Sequence, residues 1–264
     1  MIRYLFLMFC CLGGQAYGQS YTNEVRHRAV FWTELNYVYK TSGKWSFQLD
    51  HQYRRQADDN GRDIQVFRHP LLQVFRPWVN YQLSKPVRVS LSPIGLWWNW
   101  GKVNQYQPIT FFQEIRIIPQ LQITKPLKKG EFIQRYRAEF RWPSHTDTLA
   151  TSYIFLSDGE SQEVLADRFN VRLRGMARWI NPFQEQWYTH LSVEPMVVIS
   201  PSVTHFDQNR TYLAIGRSIR KNLRVELGYL NQFAIQRMPN DQLRTYRFNH
   251  AIHVFVYLEN VRKH

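Results

Sequence analysis

Arginine recurs at every second position in two stretches of this chain. In 131–142 the alternate residues Arg135, Arg137, Glu139 and Arg141 are ionic, and Tyr136, Ala138, Phe140 and Trp142 between them are apolar or aromatic. The stretch 168–179 repeats the device, with Arg168, Arg172, Arg174 and Arg178 set against Phe169, Val171, Leu173 and Trp179. Guanidinium groups are permanently charged planar forks that hold carboxylates and phosphates. A surface dense in them either binds anions or pairs with its own carboxylates. A second set, Tyr188, His190, Ser192 and Glu194, carries the residue types of acyl transfer, in which histidine activates a hydroxyl. Ser192 and His190 stand two apart, roughly 7 Å on one strand, so a histidine from a neighbouring strand would have to complete such a site. A row of polar side chains is the simpler reading. No GxSxG, HExxH, P-loop or dinucleotide fingerprint is present. His51, His69, His145, His205, His250 and His253 lack metal-ligand spacing, so neither metal nor cofactor is expected.

The elements that must position these residues follow from the period of two, which sends alternate side chains to opposite faces of a β-strand. Eleven strand-like segments can be read, at 30–39, 44–54, 71–83, 87–98, 111–124, 132–142, 168–180, 186–199, 210–219, 223–236 and 246–258. Short turns at 41–43, 84–86, 125–130, 181–185 and 220–222 interleave with longer polar links at 55–63, 99–108, 143–167, 200–209 and 237–245. Transmembrane barrels alternate in this way, with short periplasmic turns and longer outer loops. An even, antiparallel closure requires one more strand, placed in 21–28, so the expectation is about twelve strands with ten as fallback. Within the long links, 148–158 suits a short hairpin, and 204–209 reads as an ordered loop with Asp207 capping a turn. Pro119 predicts a bulge in the fifth segment.

Residues 1–18 read as a signal peptide: Arg3, an apolar core over 4–12 and a small-x-small site at Ala16-Tyr17-Gly18. Residues 19–29 are then an N-terminal segment or short first strand, 30–258 the barrel and 259–264 a periplasmic tail. Both cysteines, Cys10 and Cys11, fall in the leader, which excludes disulfides and thiolate metal sites from the mature chain. A formal charge of +14 would suggest nucleic acid in a cytosolic protein, but export excludes that partner. Alternation alone also fits a soluble periplasmic barrel or sandwich with the opposite sense. Strand length, aromatics at strand ends (Trp97-Trp98, Trp100, Trp142, Trp179, Trp187-Tyr188 and Tyr257) and polar faces nearly free of lysine favour the outer membrane. Expected partners are outer-membrane lipid and, during biogenesis, the barrel-assembly machinery; oligomeric state is left open.

Several blocks carry a resemblance. Gly43-Lys44-Trp45-Ser46 opens the second segment, Tyr81-x-Leu83-Ser84 precedes a turn, and Gln113-Glu114-x-Arg116 sits in the fifth. They continue through Arg135-x-Arg137-x-Glu139-x-Arg141, the arginine-rich 168–174, 206–210, 226–232 and Asn249-His250. With these the chain resembles, from about 32 to 258, the outer-membrane β-barrel family catalogued as domain of unknown function 2490. The resemblance implies a Gram-negative outer-membrane barrel and supplies no catalytic residues.

With the polar face turned inward, the lumen holds Arg76, Arg88, Arg116, Arg135, Arg137, Arg141, Arg168, Arg172, Arg174, Arg178, Arg210 and Arg224. Facing them are Glu34, Asp50, Glu114, Glu139, Glu194 and Glu226. Twelve cations against six anions cannot pair one to one, so the surplus is either bridged or hydrated. Small residues on that face (Ser46, Ser90, Ser92, Ser192, Ala214 and Gly216) favour hydration, and with it a passive channel for small anionic solutes. The alternatives are a lipid-modifying barrel enzyme and a structural or receptor-like surface protein.

Overall fold

A computed structural model describes residues 22–58, 63–101, 110–144, 151–155, 161–165, 169–201, 204–237 and 243–261. The expected signal peptide therefore lies outside the described residues. Thirteen strands follow in chain order: β1 (Thr22–Lys40), β2 (Trp45–Gln56), β3 (His69–Gln82), β4 (Val87–Gly101), β5 (Thr110–Pro126), β6 (Glu131–Ser144), β7 (Thr151–Phe155), β8 (Ser161–Leu165), β9 (Asn170–Pro182), β10 (Trp187–Ile199), β11 (Thr204–Arg220), β12 (Leu223–Arg237) and β13 (Leu243–Val261). Eleven of them close a barrel in the order β1-β13-β12-β11-β10-β9-β6-β5-β4-β3-β2. The pair β7–β8 is a separate hairpin between β6 and β9; its first strand falls within the expected 148–158 and its second lies beyond it.

The count is eleven, not twelve. The residues expected to form an extra strand are the first third of β1, which runs unbroken from Thr22 into Lys40 because no Gly, Pro or turn dipeptide interrupts it. With an odd number of strands the first and last point the same way, so the wall closes through a parallel pair. It is long: Thr22 to Lys40 match Leu243 to Val261 without a shift. Parallel pairing is slightly weaker per residue, and length offsets that. Side chains reinforce both ends. Lys40 meets Glu259 at 2.8 Å, and on the outer face His27 Nδ1 lies 2.9 Å from His250 Nε2, with Tyr229 Oη 2.5 Å from His250 Nδ1.

Every strand alternates between the two faces, and the polarity is inverted relative to a soluble sheet. Leu213, Leu227 and Ile252 stand outward, 56%, 61% and 54% exposed, whereas Asp50 and Glu139 point inward and are 1% and 0% exposed. Four local irregularities bend the wall, one of them at Ile219 between β11 and β12. The expected bulge at Pro119 is displaced onto β4: register slips at Pro93-Ile94, while β5 keeps one register with β6 on either side of Pro119. Pro119 only lacks a donor, and the ladder passes it by. A second slip falls at Leu71, between β2 and β3. A third falls at Asp207, which belongs to strand β11 and not to a loop, shortening that link to 200–203.

At the turn end, Gly130 closes the β5–β6 turn with φ of 78°, and its amide neighbour Leu127 donates to its carbonyl at 3.0 Å. An added Cβ would overlap the Ile180 carbonyl oxygen of β9. Gly43, in the β1–β2 turn, has open space around it. Gly130→Ala should therefore cost about 1–2 kcal/mol from the left-handed backbone alone, with the overlap added. Gly43→Ala should stay within about 0.5 kcal/mol. Urea unfolding followed by tryptophan fluorescence compares the two; equal costs would refute the role given to Gly130.

Candidate functional site

The inward rows of β5, β6, β9, β10 and β11 build one continuous ionic lattice. Strand pairing sets it up by placing Arg116 beside Arg141, Glu139 beside Arg172, and Glu194 beside Arg210. Glu139 is wholly buried and accepts from Arg116 Nη1 at 2.7 Å and Arg174 Nη1 at 2.5 Å, with Arg172 at 3.7 Å. Glu194 takes Arg174 Nη2 at 2.6 Å and Arg135 at 2.9 Å, with Arg210 at 4.0 Å. Glu114 takes Arg116 at 2.8 Å and Arg141 at 2.5 Å. Arg172 Nε also lies 2.9 Å from Asp207.

In this lattice the surplus of cations is bridged, contrary to the hydrated lumen favoured above. Each carboxylate serves two or three guanidiniums, which is how a buried anion offsets its own desolvation and that of its partners. Two of the small residues do not leave the room expected of them, while Ser192 borders a cavity. Tyr188 fills the place a side chain at Gly216 would take, and Ser92 is fully buried.

Arginines are also spread over aromatic faces, a favourable arrangement for a weakly hydrated planar cation. Arg54 stacks 3.2 Å above Trp32, and Arg116 stacks 4.0 Å above Trp97. Arg137 and Arg76 both lie over Trp78, and Arg76 also bonds Asp50 at 2.6 Å. Aromatics were expected at the rims. Trp97, Tyr188 and Tyr257 instead point inward, while Trp98, Trp100, Trp142, Trp179 and Trp187 fall on the outward positions. Arg168 lies outside the described residues; the other candidate arginines and carboxylates all turn inward.

Two cavities meet this lattice from opposite ends. The one toward the short turns has a volume of about 250 Å³, and its walls include Glu34, Asp50, Arg88, Arg135, Arg178, Arg224 and Glu226. The one toward the longer links has about 230 Å³, with Arg28, Arg54, Asp207 and Arg247 among its walls. The waist between them is filled by Arg54 on Trp32, by Arg174 between Glu139 and Glu194, and by Ile118 and Met196, both fully buried.

The acyl-transfer set comes apart. His190 Nδ1 contacts Glu226 at 2.9 Å, and Tyr188 and Tyr212 donate hydroxyls to the same carboxylate at 3.0 and 3.2 Å. Glu194 belongs to the arginine lattice, and Ser192 makes no hydrogen bond to His190. Among the described residues no group of three or more His, Cys, Asp or Glu could hold a metal ion. Sequence reading missed Arg28, Arg54, Arg247, Trp32, Tyr212, His253 and Asp207 as interior groups. Period-two parity extended back through β1 would have found Arg28 and Trp32; the Asp207 bulge had no local signal.

Because Arg174 joins the two central carboxylates, Arg174→Leu takes a close partner from each at once and should cost about 3–5 kcal/mol. A hydrated lumen would tolerate the change. Arg88→Leu, which breaks one bond to the Gln122 amide, should cost about 1.5–3 kcal/mol at most. Denaturant midpoints of the purified variants decide it; equal losses would mean that bridging contributes nothing special.

Comparison with known proteins adds one finding. No curated protein and no solved structure matches the chain. A family model described as "Protein of unknown function (DUF2490)" matches residues 29–244, which span the barrel from within β1 to the start of β13, and the chain belongs to that family.

Proposed function

We propose that this protein is an integral outer-membrane β-barrel offering a narrow, anion-preferring path whose waist is constricted by bridged ion pairs. The carrying observation is the inversion of polarity. Large apolar side chains cover the outside while guanidiniums and carboxylates are buried inside, and in water that outer face would be left without a partner. Lipid is the solvent that suits it. No helix among the described residues is long and apolar enough to span a membrane, so strands would do the crossing. The anion preference rests on the excess of arginine around the turn-side cavity, where low-dielectric walls strengthen the field.

The mature protein should sediment with the outer membrane, resist carbonate extraction and migrate differently on gels before and after boiling. A soluble monomer in the periplasmic extract would end the reading. Leu173→Arg puts a charge on the outer face and should destabilise the inserted barrel by about 2–4 kcal/mol near the midplane. In planar bilayers the purified protein should pass small, anion-selective currents. Glu139→Gln keeps the shape of the bridge but removes its charge, so anion conductance should rise. A folded barrel that never conducts, at any salt or voltage, returns the role to structure.

A further inference from the structure

The turn-side cavity contains a group that the lattice does not use. Arg88, the second residue of β4, Arg224, the second residue of β12, and Arg178, near the end of β9, all line it. Around the closed ring these strands are separated by three, three and five steps, so the guanidiniums approach one space from well-spread sides of the wall. None of the three makes an ion pair among the described residues. Arg88 Nη2 donates only to the Gln122 amide at 2.7 Å; Arg178 reaches the Met176 sulfur at 3.8 Å; Arg224 lies 4.2 Å from the centre of the Tyr257 ring. The Nε atoms of Arg88 and Arg178 are buried without a hydrogen-bond partner.

None of the cavity's carboxylates pairs with these three arginines, and only Glu131 is left to offset three guanidiniums. Asp50 is taken by Arg76 and the Trp78 indole, Glu194 by the lattice, and Glu226 by His190 and two tyrosines. Glu34 accepts from Gln52, and Glu131 makes no ion pair. Eight arginines and five carboxylates line the space in all. A permanently charged group left without an anion inside a wall is held at a cost unless something supplies that anion.

We infer that the Arg88–Arg178–Arg224 tripod is a binding site for a small tetrahedral oxyanion of the phosphate class. Guanidinium forks fit oxygen pairs on phosphate. Three forks arriving from different directions suit a centre whose oxygens point several ways, better than they suit a flat carboxylate. The volume of about 250 Å³ admits a compact anion, and the closed wall keeps out a lipid with its chains. The inference rests on the interior being a compartment for anions, and it concerns binding, not passage.

Titration calorimetry on the detergent-purified full chain, with inorganic phosphate as probe, tests it. Saturable binding should be seen that chloride at equal ionic strength does not reproduce. Arg178→Gln and Arg224→Gln should each weaken it by about tenfold or more, in keeping with loss of a charged hydrogen bond. The corresponding lysine variants, which keep the charge but lose the fork, should fall between. Arg68→Gln, in the 57–68 link beyond the barrel, should leave it unchanged. If wild-type protein shows no saturable binding, or if folded glutamine variants bind as wild type does, the tripod is not a site. Binding without any bilayer current would keep the site and remove the path; current without binding would do the reverse.

Discussion

A guanidinium cannot shed its charge, so every arginine turned into a closed wall needs a carboxylate, an amide, an aromatic face or water. This interior has more arginines than carboxylates, and its architecture follows from how that imbalance is met. The carboxylates with the most partners, Glu139 and Glu194, stand on β6 and β10, two strands apart in the ring, with β9 between them supplying Arg174 to both. That arrangement ties three strands through side chains as well as through backbone. Where carboxylates run out, tryptophans take over: Trp32 lies beneath Arg54 and Arg210, and Trp78 beneath Arg76 and Arg137. The arginines left over face a cavity.

The wall itself obeys a simpler constraint. Links at the turn end are too short for anything but antiparallel neighbours, so direction alternates strictly from β1 to β13 once the β7–β8 hairpin is set aside. Eleven strands then force β1 and β13 to run together. A closed sheet has no free edge to shield, which favours a parallel seam over an open gap with unpaired backbone groups. Inside the seam, Trp32 packs against His253 at 5.3 Å, and Val30, Ala251 and Leu230 join the same buried cluster, so the weaker ladder is backed by apolar contact.

Much of this was legible from residue order because period-two alternation is local. Parity alone assigned Arg174 inward and Leu173 outward, and the turn residues marked most strand ends. Strand number was not legible, since whether 22–28 is its own strand depends on a partner more than two hundred positions away. The bulges were half legible. Proline marked the neighbourhood, but which of two paired strands takes up the slip is decided by packing: at Pro93-Ile94 both side chains turn outward, leaving Gly95 beneath the Trp97 ring. Pairing partners across the lumen were beyond reach, because alternation gives the face of a residue and not what stands opposite. Charge counting exposed the imbalance without saying whether protein or water would meet it.

The position of the lattice explains why the interior is divided instead of uniformly filled. Its anchors, Glu114, Glu139 and Glu194, lie well inside their strands, so bridging crowds arginines toward the middle of the barrel. Apolar groups complete the waist where the lattice ends: Val74, Trp78, Trp97 and Ile118 on one side, and Trp32, Tyr212 and Leu230 on the other. Toward the turns the inward rows change character. Gln48, Asn80 and Gln122 stand among the carboxylates there, and amides can accept a hydrogen bond without neutralising a charge. An arginine in that zone, such as Arg88 on the Gln122 amide, holds a hydrogen bond but no counter-charge. Positive potential therefore reaches the chamber beside the short turns, while at the waist the surplus arginines are packed around shared carboxylates. A packed waist resists movement of ions more than a wet one does, so the same accounting that fills the centre leaves the chamber below it as the place where an anion would rest.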